Sequence, residues 1–156
     1  MPVITLLTDF GTADEYVGVM KGVMLSICPS VAIIDISHQI EPQDIRQAAY
    51  LIPAYYRFFP ENTIHIIVVD PGVGSQRSIL AVYARKHFFI APDNGLLTLL
   101  LSDQKSDTII RVDNSHYFLE PLSATFHGRD IFAALGGHMA CGTQLETLGA
   151  RIRTQD

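Results

Sequence analysis

Charge is scarce in this 156-residue chain: Asp, Glu, Lys and Arg together make up 17% of it and leave a net charge of −5. The basic residues form no cluster. With a pI near 5.6 and no basic patch, the chain is a poor partner for nucleic acid or an anionic membrane. No apolar run reaches the roughly 18 residues needed to span a bilayer. The opening MPVITLLTDFG lacks a basic segment and carries Asp9 early, so a secretory signal is not expected. Only two cysteines occur, Cys28 and Cys141, far apart and without metal-ligand spacing. Reduced thiols, a cytoplasmic setting and no metal are expected. A dinucleotide fingerprint, a P-loop, a serine nucleophile elbow, HExxH and CxxC are all missing. There are no repeats and no Pro/Gly/Ser-rich linkers.

Apolar residues are abundant instead. They make up 48% of the chain, and the mean hydropathy is +0.24. That fits a sheet covered on both faces, and it leaves room for an apolar face covered by a partner. The length suits a single domain, residues 1–156, with its own core.

Short apolar runs at 3–8 (VITLLT), 31–36 (VAIIDI) and 63–69 read as strands. Between them, 14–27 carries apolar residues at helical spacing and ends before Pro29. Residues 42–59 begin like a helix with Pro42 early, and Pro53 is expected to kink or break it. Residues 78–83 and 87–91 read as paired strands, with a turn at Pro92-Asp93-Asn94-Gly95. LLTLLL (96–101) reads as a short buried helix, 108–112 and 117–119 as weaker strands, and 128–140 as a helix interrupted at Gly136-Gly137. The tail after Cys141 has little apolar periodicity. The expected fold is α/β: a mainly parallel central sheet flanked by helices, antiparallel after residue 78.

Three loops could carry chemistry. In VDPGVGSQR, Asp70 stands where a strand ends, Pro71 to Gly74 turn the chain, and Arg77 returns to face it. The crevice beyond the carboxyl ends of strands is where α/β sheets bind ligands. An Asp capping a tight turn beside a surface Arg would look the same. Asp9, directly after the first strand, could accept two ribose hydroxyls or cap the next helix. In TFHGRD, His127 precedes an expected helix start, where the dipole favours neutral imidazole; it could equally cap or pack. The other five histidines show no comparable setting.

Taken together, TDFG…DEYVGVMKG, DISHQI…DIRQAA, FPENTIHIIVVDPGVGSQR, APDNGLL and TFHGRD resemble the S-adenosyl-L-methionine hydroxide adenosyltransferases, relatives of the fluorinase and chlorinase. The resemblance runs in order from Thr8 to Asp130. It implies attack of water or hydroxide on C5′ of S-adenosyl-L-methionine, giving adenosine and L-methionine, with no cofactor. Methionine leaves from a sulfonium as a neutral group, so a positioned water and a base suffice. The resemblance makes Asp70 and His127 the groups that hold and deprotonate water, and Arg77 the partner that fixes Asp70. It matches Asp9 to the ribose hydroxyls, Asp14 to the methionine end and Phe126 to the wall around the reacting carbon, and it makes Gly128 a substrate-binding position.

The halogenase branch carries neutral side chains, two Tyr and a Ser, where this sequence has Asp70, His127 and Gly128. An ionised carboxylate repels a halide, so these residues favour water. The resemblance also implies a homotrimer. In it, a second, β-rich domain supplies the adenine contacts across a subunit boundary. That domain is absent from this sequence, which runs to Asp156. An alternative expectation is therefore a noncatalytic or split-subunit domain that needs a partner carrying the adenine-binding half.

Overall fold

A computed structural model describes residues 1–101 and 107–153. Seven strands form one sheet in the order β2-β1-β3-β5-β4-β6-β7. They are β1 Val3–Thr8, β2 Ala32–Ser37, β3 Ile64–Val68, β4 Ile79–Ala84, β5 His87–Pro92, β6 Thr108–Val112 and β7 Gly149–Ile152. The neighbours β2, β1, β3 and β5 are parallel, and β4, β6 and β7 complete the sheet antiparallel. The expected mixed α/β sheet is observed, with its first three strands side by side.

The central strands are apolar on both faces because both faces are covered. On one side Ile4, Leu6, Ile66 and Val68 meet Met20 and Met24 of α1 (Tyr16–Ile27) and Leu135 of α3 (Ala134–Ala140). On the other, Leu7, Ile67 and Phe89 meet Ala48 and Ile52 of α2 (Ile45–Tyr55). The chain leaves β1 toward β2 through α1 on one face, then returns to β3 through α2 on the other. The switch point lies between β1 and β3, where crevices form at the strand ends.

Several local expectations are corrected. Pro53 lies inside α2 without breaking it; the helix runs two residues further and tightens into a single turn at Tyr56–Phe58. Its start is Ile45 rather than Pro42, capped by Asp44, whose side chain accepts from the Gln47 N–H. Residues 96–101 form turns and no helix: the Asn94 side chain, held by the Val69 carbonyl, accepts from the Leu96 N–H. Residues 117–119 are no strand; a turn at Ser115–Tyr117, capped by Asn114, stands there. Helix formation after His127 is not interrupted at Gly136-Gly137. Both lie inside α3, and a Cβ on Gly136 would sit 2.5 Å from Ile66 Cδ1. These glycines bring the helix close to the sheet. The irregularity comes earlier, as one wider π-type turn at Gly128–Ala133. In the tail, the unexpected β7 pairs with β6, Arg111 opposite Ala150.

Candidate active site

The loops that follow β1, β2 and β3 meet at the switch point. Asp70 follows β3 by two residues, and Arg77 precedes β4 by two. Between them Gly74 has φ +78, and a Cβ there would lie within 2.4 Å of the Ala124 carbonyl oxygen. Only glycine lets this loop rest against the segment leading to His127.

Arg77 sits between two partners. Its Nε donates to Asp70 Oδ1 at 3.0 Å, its Nη2 donates to Asp70 Oδ2 at 2.5 Å, and the same Nη2 stands 2.9 Å from His127 Nδ1. Both side chains of the ion pair are nearly buried, at 11% exposure for Arg77 and 5% for Asp70, so water screens the pair little. A guanidinium only donates, so His127 Nδ1 accepts and the ring carries its hydrogen on Nε2. Burial first, and the Arg77 charge second, push the His127 pKa below the usual histidine value. The imidazole is neutral.

His127 is itself held by its loop. Buried Asp130 accepts from the Ser123 N–H at 2.7 Å and from Arg129 Nε at 2.6 Å, and its carbonyl accepts from the Leu119 N–H. Burial opposes ionisation of Asp130, but the Arg129 and Ser123 hydrogen bonds outweigh it and hold its pKa below the usual range.

A cleft of about 200 Å³ opens beside this cluster. Asp9, Phe10, Gln43, Asp70, Thr125 and Gly128 are among the residues that line it. Arg77 and His127 stand behind Asp70 rather than on the lining. Asp9 Oδ2 accepts from the Gln43 N–H at 2.8 Å, so Asp9 does not cap α1. The N-cap, Glu15, makes no side-chain cap, and Asp14 Oδ1 accepts from the Tyr16 N–H at 3.1 Å on the surface. Phe126 lies outside the lining, its ring tilted against that of Tyr16 at 4.4 Å between centroids, with the Arg129 guanidinium 5.0 Å from its own centroid. Gly128 is tightly enclosed: a Cβ would meet the Phe10 ring at 3.1 Å and Met20 Sδ at 3.3 Å.

One residue of the site has no sequence signal. His38, buried just after β2, accepts or donates at both ring nitrogens: Nδ1 is 2.7 Å from Thr8 Oγ1, and Nε2 is 2.7 Å from Asp35 Oδ1. Its backbone carbonyl accepts from the Gly11 N–H at 2.7 Å, and Thr8 Oγ1 accepts from the Phe10 N–H. His38 thus fixes both ends of the loop that presents Asp9. Lys21 of α1 closes the chain on Asp35 at 2.6 Å. Burial opposes the Asp35 charge, but hydrogen bonds from Lys21 and His38 outweigh it and lower its pKa. No cluster of three or more metal-ligating side chains occurs among the described residues, and none of their helices is long and apolar enough to cross a membrane.

The model of the SAM hydroxide adenosyltransferase N-terminal domain matches residues 4–149. An (R)-S-adenosyl-L-methionine hydrolase of Methanocaldococcus jannaschii is 40% identical over 144 residues, covering 89% of this chain and 53% of that protein. One of the same name from Thermus thermophilus is 38% identical over 156 residues, covering 96% of this chain and 61% of that protein. A crystal structure of an uncharacterised conserved protein from Thermotoga maritima superposes with a TM-score of 0.93 at 39% identity, covering 97% of this chain and 58% of that one. The chain therefore spans a little over half the length of these relatives.

Proposed function

This chain belongs to the SAM hydroxide adenosyltransferase N-terminal domain family, and on that premise we propose that it serves the hydrolysis of S-adenosyl-L-methionine to adenosine and L-methionine. The observation that carries the reading is the Asp70–Arg77–His127 cluster at the β1/β3 switch point. Water attacks C5′ as the C5′–S bond breaks. The sulfonium takes that electron pair and leaves as the neutral thioether of methionine. The oxygen sheds one proton, so a nearby carboxylate that stays ionised is the useful group.

Asp70 faces the cleft and takes that role. Arg77 orients it through two N–H donors. His127, with Nδ1 committed to Arg77, holds the guanidinium from the other side and so keeps Asp70 and its partner in place around the attacking oxygen. Asp9, on the cleft wall, takes the ribose hydroxyls, and Asp14, Phe126 and Gly128 belong to the substrate side. The reaction needs no cofactor beyond its substrate. The setting is cytoplasmic, and the working form is a homotrimer of which residues 1–156 contribute one domain.

A second reading is favoured by the size of the cleft. About 200 Å³ falls short of the roughly 300 Å³ or more of usual small-molecule pockets. The adenine half would then come from a further segment or subunit, and this chain alone would be a noncatalytic or split-subunit domain. Product analysis separates the readings. The first expects adenosine and methionine in equal amounts from this chain, and the second expects them only after a β-rich partner is added. A 5′-halo-adenosine as main product at physiological chloride would refute both.

A further inference from the structure

Cys28 and Cys141 are remote in sequence, yet they occupy equivalent places in space. Cys28 terminates α1, and Cys141 terminates α3. The two helices pack together, and their last turns approach closely because Gly137 has no side chain: a Cβ there would lie 3.0 Å from Ile27 Cβ. The Cys141 thiol points across this contact and donates to the Ile27 carbonyl at 3.6 Å. That carbonyl shares a planar peptide unit with the Cys28 nitrogen and Cα. Cys28 Sγ lies 3.8 Å from Ser30 Oγ, and the Cys28 thiol is the main cause of a raised Cys141 pKa, with burial adding to it. Cys141 is exposed, and Cys28 is 1% exposed.

We propose that Cys28 and Cys141 form a reversible intramolecular disulfide, with Cys141 as the entry thiol and Cys28 as the resolving thiol. The oxidant is a low-molecular-weight disulfide, RSSR. The Cys141 thiolate attacks one sulfur of RSSR; a Cys141–SR bond forms and RS⁻ leaves. Cys28 then loses its proton and attacks Cys141 Sγ; the Cys28–Cys141 bond forms and the second RS⁻ leaves. Two protein thiols are oxidised, RSSR is reduced, and the two RS⁻ take up the two protons. The asymmetry of exposure sets the order, because only Cys141 meets a solvent-borne oxidant. A disulfide requires Cα atoms roughly 4.4–6.8 Å apart, and the contact of Gly137 with Ile27 is what draws the two helix ends together.

The bond would act at a distance from the candidate site. α1 begins at Tyr16, against Phe126, and the helical run into α3 begins at Gly128, next to His127. A staple at the far ends would couple the two elements that begin beside the site without touching the cleft.

The test uses the reduced chain and oxidised glutathione. Both titratable thiols should disappear, the intact mass should fall by two hydrogens, and a non-reducing digest should join the Cys28 and Cys141 peptides. A bridge closing so long a loop should raise Tm by at least about 5 °C, and dithiothreitol should reverse it. Cys141→Ser, a change at an exposed position, should fold normally and show none of these effects. A persistent glutathione adduct on Cys141, a disulfide-linked dimer, or two thiols that remain titratable would overturn the proposal.

Discussion

Arg77 has five N–H donors and no acceptor, and that one-sidedness organises the residues around it. It keeps Asp70 oriented and keeps His127 accepting at Nδ1, so under the proposed hydrolysis the proton of an attacking water would fall to Asp70. In whichever assembly is active, Asp70→Ala should lower kcat by about 100- to 10,000-fold, with a much smaller change in KM. Asp9→Ala should act mainly on KM, since ribose hydroxyls are held in ground and transition states alike. Steady-state kinetics of the two variants check the contrast; an Asp70→Ala kcat within about threefold of the parent lies far outside that range and would remove Asp70 from the chemistry. His38 makes a separate case. His38→Ala leaves the buried Thr8 hydroxyl without its ring partner and should cost about 1–3 kcal/mol of stability, read by denaturant unfolding. Asp9-dependent binding should weaken in the same variant, because the loop loses its anchor.

At the scale of elements, close packing decides what the sequence shows openly and what it hides. Gly136→Ala would drive a methyl against buried Ile66 and should destabilise by about 1–3 kcal/mol, measured as a lower urea midpoint with an unchanged slope. In sequence the Gly136-Gly137 pair looks like a helix break, because the reason for it, the face of β3, lies seventy residues away. β1 and β6 are legible to the residue, and β2 and β3 to within one, because each is a short, mostly apolar run between turn signals. β7 is not legible: Ala150 and Arg151 are exposed, and the strand exists through its pairing with β6. The run at 96–101 is ambiguous because five leucines around Thr98 suit a helix, a strand or a turn; the Asn94 side chain decides. Within the site, Asp70 and Asp9 are visible as carboxylates at strand ends. His38 is invisible, because its partners Thr8 and Asp35 are brought together only by the pairing of β1 with β2.

The whole molecule carries its histidines in a way that sets its response to acid. Under α2, buried His65 lies 2.7 Å from Thr5 Oγ1 and 3.1 Å from His87 Nδ1. Burial first, and His87 second, push its pKa down to about 3; His87 and His127 are lowered too, chiefly by burial. Each is neutral when folded and titrates near 6.5 when unfolded. Below that pH the unfolded chain binds more protons, so stability is full above about 6.5 and falls as acid rises. For His65 the loss continues to about pH 3. Thermal unfolding should show a flat Tm above neutrality and a steady fall between about pH 6.5 and 4. A Tm independent of pH across that window would contradict the buried, neutral histidines.

The origin of the new oxygen tests the central claim most directly. S-adenosyl-L-methionine is incubated with the protein in ¹⁸O-water containing chloride, and the products are resolved by mass spectrometry. Water held at the Asp70–Arg77–His127 cluster and attacking C5′ predicts one ¹⁸O in the 5′-hydroxyl of adenosine, unlabelled methionine and no 5′-chloro-adenosine. Label in methionine, or a chlorinated nucleoside as main product, would contradict the account.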